Sequence, residues 1–213
     1  MWLNAKSNVK FINRESLRSD GRYIFVSNHP LGGLDGLILI SSLGKIFGKV
    51  KFVVNDILMH ILPMRNIFVP VNKHGSMGKD YGERIHNAYA SDAQMLYFPA
   101  GLCSRLIDGK ITDLEWKRNF IKQAKRYNRD IVPVYFGGRN SNFFYRLAKI
   151  RKMLGIKFNF EMIFLPDEMF RQKNSIFDVV IGEPIPISSI DSTRTLDQWC
   201  REIREKCYQL KEK

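Results

Sequence analysis

Tyr23-Ile24-Phe25-Val26-Ser27-Asn28-His29-Pro30-Leu31-Gly32-Gly33-Leu34-Asp35-Gly36 is the stretch from which the fold can be read. Five β-prone residues run into a Pro–Gly turn, and a helical pattern over Leu37–Phe47 follows. A strand that turns tightly into a helix is the repeating step of a layered α/β domain. The step recurs along the chain. Further strands are expected at Lys51–Val54, Ile67–Val71, Gln94–Phe98, Ile131–Phe136, Phe160–Leu165 and Phe177–Ile181. Helices are expected at Asp80–Ala90, Leu114–Tyr127, Phe143–Leu154 and Leu196–Lys211. Ile131-Val132-Pro133-Val134-Tyr135-Phe136 is a continuous apolar run, as in a strand covered on both faces. In the last helix Leu196, Trp199, Ile203, Cys207 and Leu210 share one side, with charges opposite. The expected class is α/β, a single layered domain with a mostly parallel or mixed central sheet flanked by helices. It is expected over 23–213, preceded by a basic segment, 1–22.

The 213 residues fit one domain, and 45% apolar content is enough to bury a core and exclude disorder. Lys and Arg (34) outnumber Asp and Glu (21), a formal charge of +13. Such an excess draws a protein to phosphorylated substrates, acidic carrier proteins, anionic lipid or nucleic acid, without choosing among them. No zinc finger, helix-turn-helix fingerprint or RNP motif accompanies it, so nucleic acid is not an expected partner. The longest apolar stretch, Leu34–Phe47, is broken by Asp35, Gly36, Ser41, Ser42, Gly44 and Lys45, and no transmembrane helix is expected. Met1–Lys6 lack the apolar stretch and cleavage site of a signal peptide. Cys103, Cys200 and Cys207 show no CxxC spacing, which predicts free thiols in a reducing cytosol.

The turn after the first strong strand carries His29 and Asp35 six positions apart. Gly32 and Gly33 accept positive φ and could fold the loop until the carboxylate meets the imidazole. Asp35 would then fix the tautomer while His29 removes a proton. The same spacing also fits a Pro–Gly turn with a hydrogen-bonded His and a helix-capping Asp, and spacing alone leaves both open.

Phe98-Pro99-Ala100-Gly101-Leu102-Cys103-Ser104-Arg105 follows another strand, and Ile131-Val132-Pro133-Val134 forms a third landmark. In this order the three segments resemble the glycerophospholipid acyltransferase superfamily, the lysophosphatidate acyltransferase-like (PlsC-type) enzymes. That family's first motif is Asn-His, four residues, then Asp. Its third is Phe-Pro-Glu-Gly-Thr-Arg-Ser, and its fourth centres on Val-Pro-Val. A weaker second motif corresponds to Arg65-Asn66-Ile67-Phe68-Val69-Pro70-Val71-Asn72-Lys73. The resemblance spans Tyr23 to Ile187. It implies that His29 acts as general base on an acceptor hydroxyl, which attacks the thioester carbonyl of an acyl carrier protein or coenzyme A donor. Asp35 would orient His29, and neither a cofactor nor a covalent acyl-enzyme is needed. Asn28, Gly33, Phe98, Pro99, Gly101 and Ser104 would hold substrate.

Two departures from the family pattern bear on the acceptor. Five residues, not four, separate His29 from Asp35, and Gly32-Gly33 is where the extra one can be absorbed. The family's acidic third-motif residue, tied to a glycerol-phosphate acceptor, is Ala100 here, while Ser104-Arg105 stand in a shifted place. Asn-His-Pro-Leu-Gly-Gly-Leu-Asp with Phe-Pro-Ala-Gly looks most like the branch that O-acylates lyso-aminolipids such as lyso-ornithine or lyso-glycine lipids. Lysophosphatidate is the alternative acceptor. A non-catalytic basic membrane-binding module is the alternative from another class.

Single residues carry two readings each. Arg105 beside the third motif and Arg139 at a strand end are candidate anion ligands, set against the chance placement of two among many basic residues. Lys73 could meet a phosphate of the donor or stand as a solvated loop lysine. Cys103 could pair with a His as a nucleophile or serve as a small buried hydrophobe. His60, His74 and His86 lack HExxH or i,i+4 spacing, so no metal is expected. From Arg139 to Lys157 six basic residues and no acidic one are interleaved with aromatics. Phe143, Phe144, Arg146 and Lys149 are the expected contacts with an anionic membrane surface, for a protein attached peripherally to its cytoplasmic face. The competing reading packs Phe144, Leu147 and Leu154 on the sheet and leaves the basic face in water. Lys117–Arg129 could dock an acidic carrier protein or be a solvated helix face. Only 22 residues precede Tyr23, fewer than in many relatives, which fits either a short form or a sequence that starts partway; in a short form attachment would rest more on the basic surface and be salt-sensitive.

Overall fold

The computed structural model of the protein describes residues 4–54, 66–70 and 78–213. Lys73, His60, His74 and the ends of the second motif lie outside the described residues. Nine strands and six helices lie in the described parts. The strands are β1 (Lys6–Phe11), β2 (Tyr23–Ser27), β3 (Val50–Val54), β4 (Phe68–Pro70), β5 (Gln94–Tyr97), β6 (Arg105–Ile107), β7 (Lys110–Thr112), β8 (Asp130–Phe136) and β9 (Ile176–Ile181). The helices are α1 (Leu34–Phe47), α2 (Gly78–Ala90), α3 (Asn119–Tyr127), α4 (Asn142–Met153), α5 (Leu165–Arg171) and α6 (Leu196–Gln209).

Seven strands form one sheet in the order β1-β9-β8-β2-β5-β3-β4. Every neighbouring pair is parallel except β8 and β9, so the sheet is mostly parallel, as expected. β2 shows why both sheet faces are covered. Its five residues are all buried. Tyr23 and Phe25 enter the core under α1 with Leu39, Leu43 and Phe52, while Ile24 and Val26 join Phe120, Ile121, Trp199 and Ile203 on the opposite face. A parallel strand between two helical layers must be apolar on both sides. α6 is started by a capping box, with the Thr195 side chain accepting from Gln198 N and the Gln198 side chain answering at the Thr195 amide. Among the described residues no helix is long and apolar enough to cross a membrane.

Three local expectations need correcting. Phe160–Leu165 is no strand: Phe160–Phe164 winds as a 3-10 turn that leads directly into α5. Pro166 in the first turn of α5, followed by Asp167 and Glu168, favours a helix start, and the β-prone side chains do not override it. The helix expected from Leu114 begins only at Asn119, because the preceding residues wrap Trp116 back onto Asp113. Lys6–Phe11, within the basic segment expected to precede the domain, is an edge strand whose alternate residues face out. Polar, lysine-bearing edge strands are common, and they read as loops in sequence. The β6–β7 hairpin turns on Asp108-Gly109, both at positive φ (47° and 76°), the Asp-Gly pair that two-residue hairpins favour.

Candidate active site

The site lies beyond the carboxyl ends of the parallel strands β2, β5 and β8, where open α/β sheets bind ligands. β2 ends at Ser27, and Asn28 clamps it to β8. Asn28 Nδ2 donates to Phe136 O (2.9 Å), and Phe136 N donates to Asn28 Oδ1 (2.7 Å). Both edges of the amide are therefore spent on one backbone. Asn28 is buried and holds the loop to β8.

The loop then folds over His29. Gly32 sits at φ +75°, and a Cβ there would lie 2.8 Å from Leu165 and 3.1 Å from the Cys103 Cβ, so only glycine fits. With that bend the longer spacer still delivers Asp35, the second residue of α1, to the imidazole. His29 Nδ1 lies 3.0 Å from Asp35 Oδ2. The same Oδ2 accepts from Leu31 N (2.9 Å), while Oδ1 accepts from Gly33 N (3.1 Å) and Gly36 N (2.9 Å). Asp35 thus meets the imidazole and also holds amides of the loop and of the first turn of α1. With Nδ1–H donated to Asp35, Nε2 is the nitrogen left to take a proton, and it bonds no described residue. The ring stacks on Phe98 (centroids 4.1 Å apart, 19° between planes) and keeps 13% of its surface open.

Burial lowers the affinity of His29 for a proton, but the adjacent Asp35 charge and hydrogen bond outweigh it, and the net shift is upward from 6.5. Burial works against the Asp35 carboxylate as well. His29 and the amides of Leu31 and Gly36 prevail, so its pKa falls below the ordinary 3.8.

A second carboxylate holds the backbone of His29. Asp113 Oδ1 accepts from His29 N (3.1 Å) and from the Ser104 hydroxyl (2.6 Å), and Oδ2 accepts from Trp116 Nε1 (2.8 Å). Ser104 N in turn donates to His29 O (2.7 Å), so the peptide groups on both sides of His29 are fixed. α6 supports the clamp: Asp113 N donates to Tyr208 Oη, and Arg204 donates to Asp113 O. Burial raises the Asp113 pKa. Sequence reasoning misses Asp113, since nothing in its spacing marks it. Ser104 is buried with its hydroxyl committed to Asp113.

The rest of the third motif divides. Phe98 forms the floor under His29. Pro99 O accepts from Lys117 N, and Gly101, at φ +70°, donates its N–H to Phe98 O. Gly33 is exposed at the loop tip. Ala100 is buried in the apolar core on the α3/α6 side. The Cys103 thiol is buried, and burial pushes its pKa up to about 11, so it is no thiolate at neutral pH and lacks the activation a nucleophile needs. Arg105 is buried with Nη2 on Glu161 Oε1 (2.9 Å) and Nη1 on Cys103 O (2.7 Å). Arg151 Nε reaches the other oxygen of Glu161 (2.8 Å), so one buried carboxylate serves two guanidinium groups. Arg139 is exposed, and its head binds the Asn142 side chain. On α4, Phe143 is 53% exposed and Phe144 0%. Phe144 packs with Tyr145 and Cys103 and cannot face a membrane, a correction that follows from the turn of the helix. Arg146 and Lys149 are exposed.

The acyltransferase family profile matches residues 8–213. A lyso-glycine lipid O-acyltransferase of Bacteroides thetaiotaomicron is 49% identical over 210 residues, covering 98% of this chain and 76% of that protein. Another protein of that name, from Phocaeicola vulgatus, is 45% identical over 210 residues, covering 98% and 75%. Among solved structures, the 1-acyl-sn-glycerophosphate (LPA) acyltransferase PlsC of Thermotoga maritima aligns with a TM-score of 0.55 at 18% identity, over 100% of this chain and 75% of that one, a likeness of fold. On a profile match and two close relatives that each take in nearly its whole length, the chain belongs to the acyltransferase family, and it is an O-acyltransferase.

Proposed function

We propose that the protein transfers a fatty acyl group from the thioester of an acyl carrier protein or coenzyme A to the hydroxyl of a lyso-aminolipid of the lyso-glycine kind, at the cytoplasmic face of the membrane. The observation that carries the reading is the His29 Nδ1–Asp35 Oδ2 bond, which leaves Nε2 as the basic nitrogen of a partly open ring. The acceptor hydroxyl gives its proton to Nε2 as its oxygen attacks the thioester carbonyl. The imidazolium, stabilised by Asp35, then returns the proton to the departing sulfur as the C–S bond breaks. Neither Cys103 nor Ser104 offers an activated nucleophile in between, because burial keeps the Cys103 thiol protonated and the Ser104 hydroxyl is donated to Asp113. No cofactor enters the step.

The acceptor assignment is supported by the printed activity of the relatives at 49% and 45% identity, and by Ala100, which offers a glycerol phosphate no acidic side chain. The test is lipid mass spectrometry of bacteria expressing the protein or its His29→Ala variant, each supplied with lyso-glycine lipid, lyso-ornithine lipid or lysophosphatidate. A diacylated aminolipid is expected only with His29 intact. A rise in phosphatidate alone would overturn the acceptor, and equal product from both proteins would overturn the general base.

A further inference from the structure

We propose that α4, the 3-10 turn and α5 form the surface by which the protein docks on an anionic bilayer. On α4, Phe143, Arg146, Ile150 and Met153 fall at i, i+3, i+7 and i+10, one outward stripe, while Phe144 and Ala148 point inward to the core. Past the helix the apolar surface continues: Met153 is 76% exposed, Leu154 67%, Phe158 70% and Ile163 68%. The two halves are joined, since the Phe143 and Phe164 rings meet edge to face at 5.3 Å. Glu168 of α5 accepts from both the amide and the hydroxyl of Ser141 at the start of α4, which fixes their relative position. Monomeric proteins rarely leave this much large apolar side chain in one place without a partner.

Charge selects the occupant. Arg146, Lys149, Lys152 and Lys157 stand exposed among these side chains, and no ion-pair partner for any of them lies among the described residues. Nearby acids are committed or few: Glu161 is buried between Arg105 and Arg151, Glu168 is buried on Ser141, Asp167 pairs with Arg171, and Asp108 sits at the β6–β7 turn. An acidic carrier protein would answer the cations but not so many exposed apolar side chains. A bilayer answers both, taking the apolar residues among its acyl chains and the cations at its phosphates.

The position suits the chemistry. α5 begins at Leu165, which packs against Gly32 of the catalytic loop, and Asn140, just ahead of α4, donates to Pro30 O. A cleft of about 780 Å³ opens between the β6–β7 hairpin and α4, walled by Leu106, Ile107 and Met153 and lined by Lys149, Lys152 and Arg105. Arg105 follows Ser104, whose amide holds His29 O, so the wall of this cleft and the backbone of His29 are joined through one residue. The docking face takes its purpose from the lysolipid reading above, but binding is measured without turnover, so either can fail alone.

The test is flotation of purified protein with phosphatidylcholine vesicles, with and without phosphatidylglycerol. Binding is expected only with phosphatidylglycerol and should weaken as salt rises. L154S/F158S/I163S and, separately, K149E/K152E should each weaken it by about tenfold or more. The apolar variant should keep its melting temperature and its turnover of a water-soluble short-chain acceptor below the micelle concentration. Should that variant fail to fold, the charge-reversal protein decides. Unchanged flotation of a folded variant would overturn the proposal. So would a loss of turnover confined to carrier-protein donors, which would make the face a carrier dock. A shift from dimer to monomer would make it a contact between copies.

Discussion

Asp35 takes hydrogen bonds from one imidazole and three backbone amides, so its charge holds both the His29 ring and the loop around it. Its effect on His29 is the more informative, because the two consequences of the shifted pKa values separate on the pH axis. Asp35 stabilises the fold above the ordinary carboxylate value of 3.8, a contribution lost as pH falls through its lowered native value. His29 stabilises below 6.5, a contribution lost as pH rises through its raised native value. The pair therefore supports the fold most between 3.8 and 6.5, while on the proposed mechanism transfer needs neutral His29 and gains its rate above that window. Asp35→Asn removes the charge that raises His29. The acid limb of kcat/KM should move to lower pH while kcat falls by about 10²–10⁴-fold, checked by rate profiles of both proteins. An acid limb left in place would show that Asp35 does not set the base. This pair was legible in sequence because both partners lie within one turn. Glu161 and Asp113 were not, since their contacts to Arg105 and His29 span 56 and 84 residues, and a buried acid reads like a surface one until the fold closes.

Elements show the same division between near and far. β2, β5, β8 and β9 declared themselves as apolar runs, and α6 by its stripe, because burial on a regular element imposes a period. β1 hid among lysines as an edge strand, and Phe160–Leu165 looked like a strand while Pro166 committed it to a helix. The β6–β7 hairpin is the element with most to explain, since it carries the chain from Arg105 round to Asp113 beneath the His29 loop. Asp113→Asn keeps the shape but cannot accept from His29 N, Ser104 Oγ and Trp116 Nε1 together. It should lower kcat by about 10–100-fold with the donor KM little changed. It should also draw the acid limb downward, because Asp113 helps to raise the His29 pKa. Steady-state kinetics over pH check both, and a fall in stability with normal kinetics would make Asp113 only a structural support.

At the scale of the molecule, the Arg105–Glu161–Arg151 cluster ties the hairpin to α4 and the turn before α5. Glu161→Gln would leave two largely buried guanidinium groups sharing no counter-charge, at a cost of about 3 kcal/mol or more. For a chain of this size that is a fall of roughly 6–12 °C in melting temperature. Calorimetry checks it, and a melting point within a degree or so of the parent would mean that solvent already screens the cluster.

The clamp beneath His29 also has a history written into its order along the chain. His29 and Asp35 leave the ribosome early, Asp113 follows, and Tyr208 and Arg204, which support Asp113 from α6, come 95 and 91 residues later still. At about 5–20 residues per second, the wait between Asp113 and its supports is roughly 5–20 s of synthesis. Through that interval a nascent chain holds His29, Asp35 and Asp113 but not the two α6 side chains that support Asp113. On the proposed mechanism, chains cut short before α6 therefore carry His29 and Asp35 without the full support of the residue that fixes the His29 backbone, and full transfer is expected only of chains that include α6.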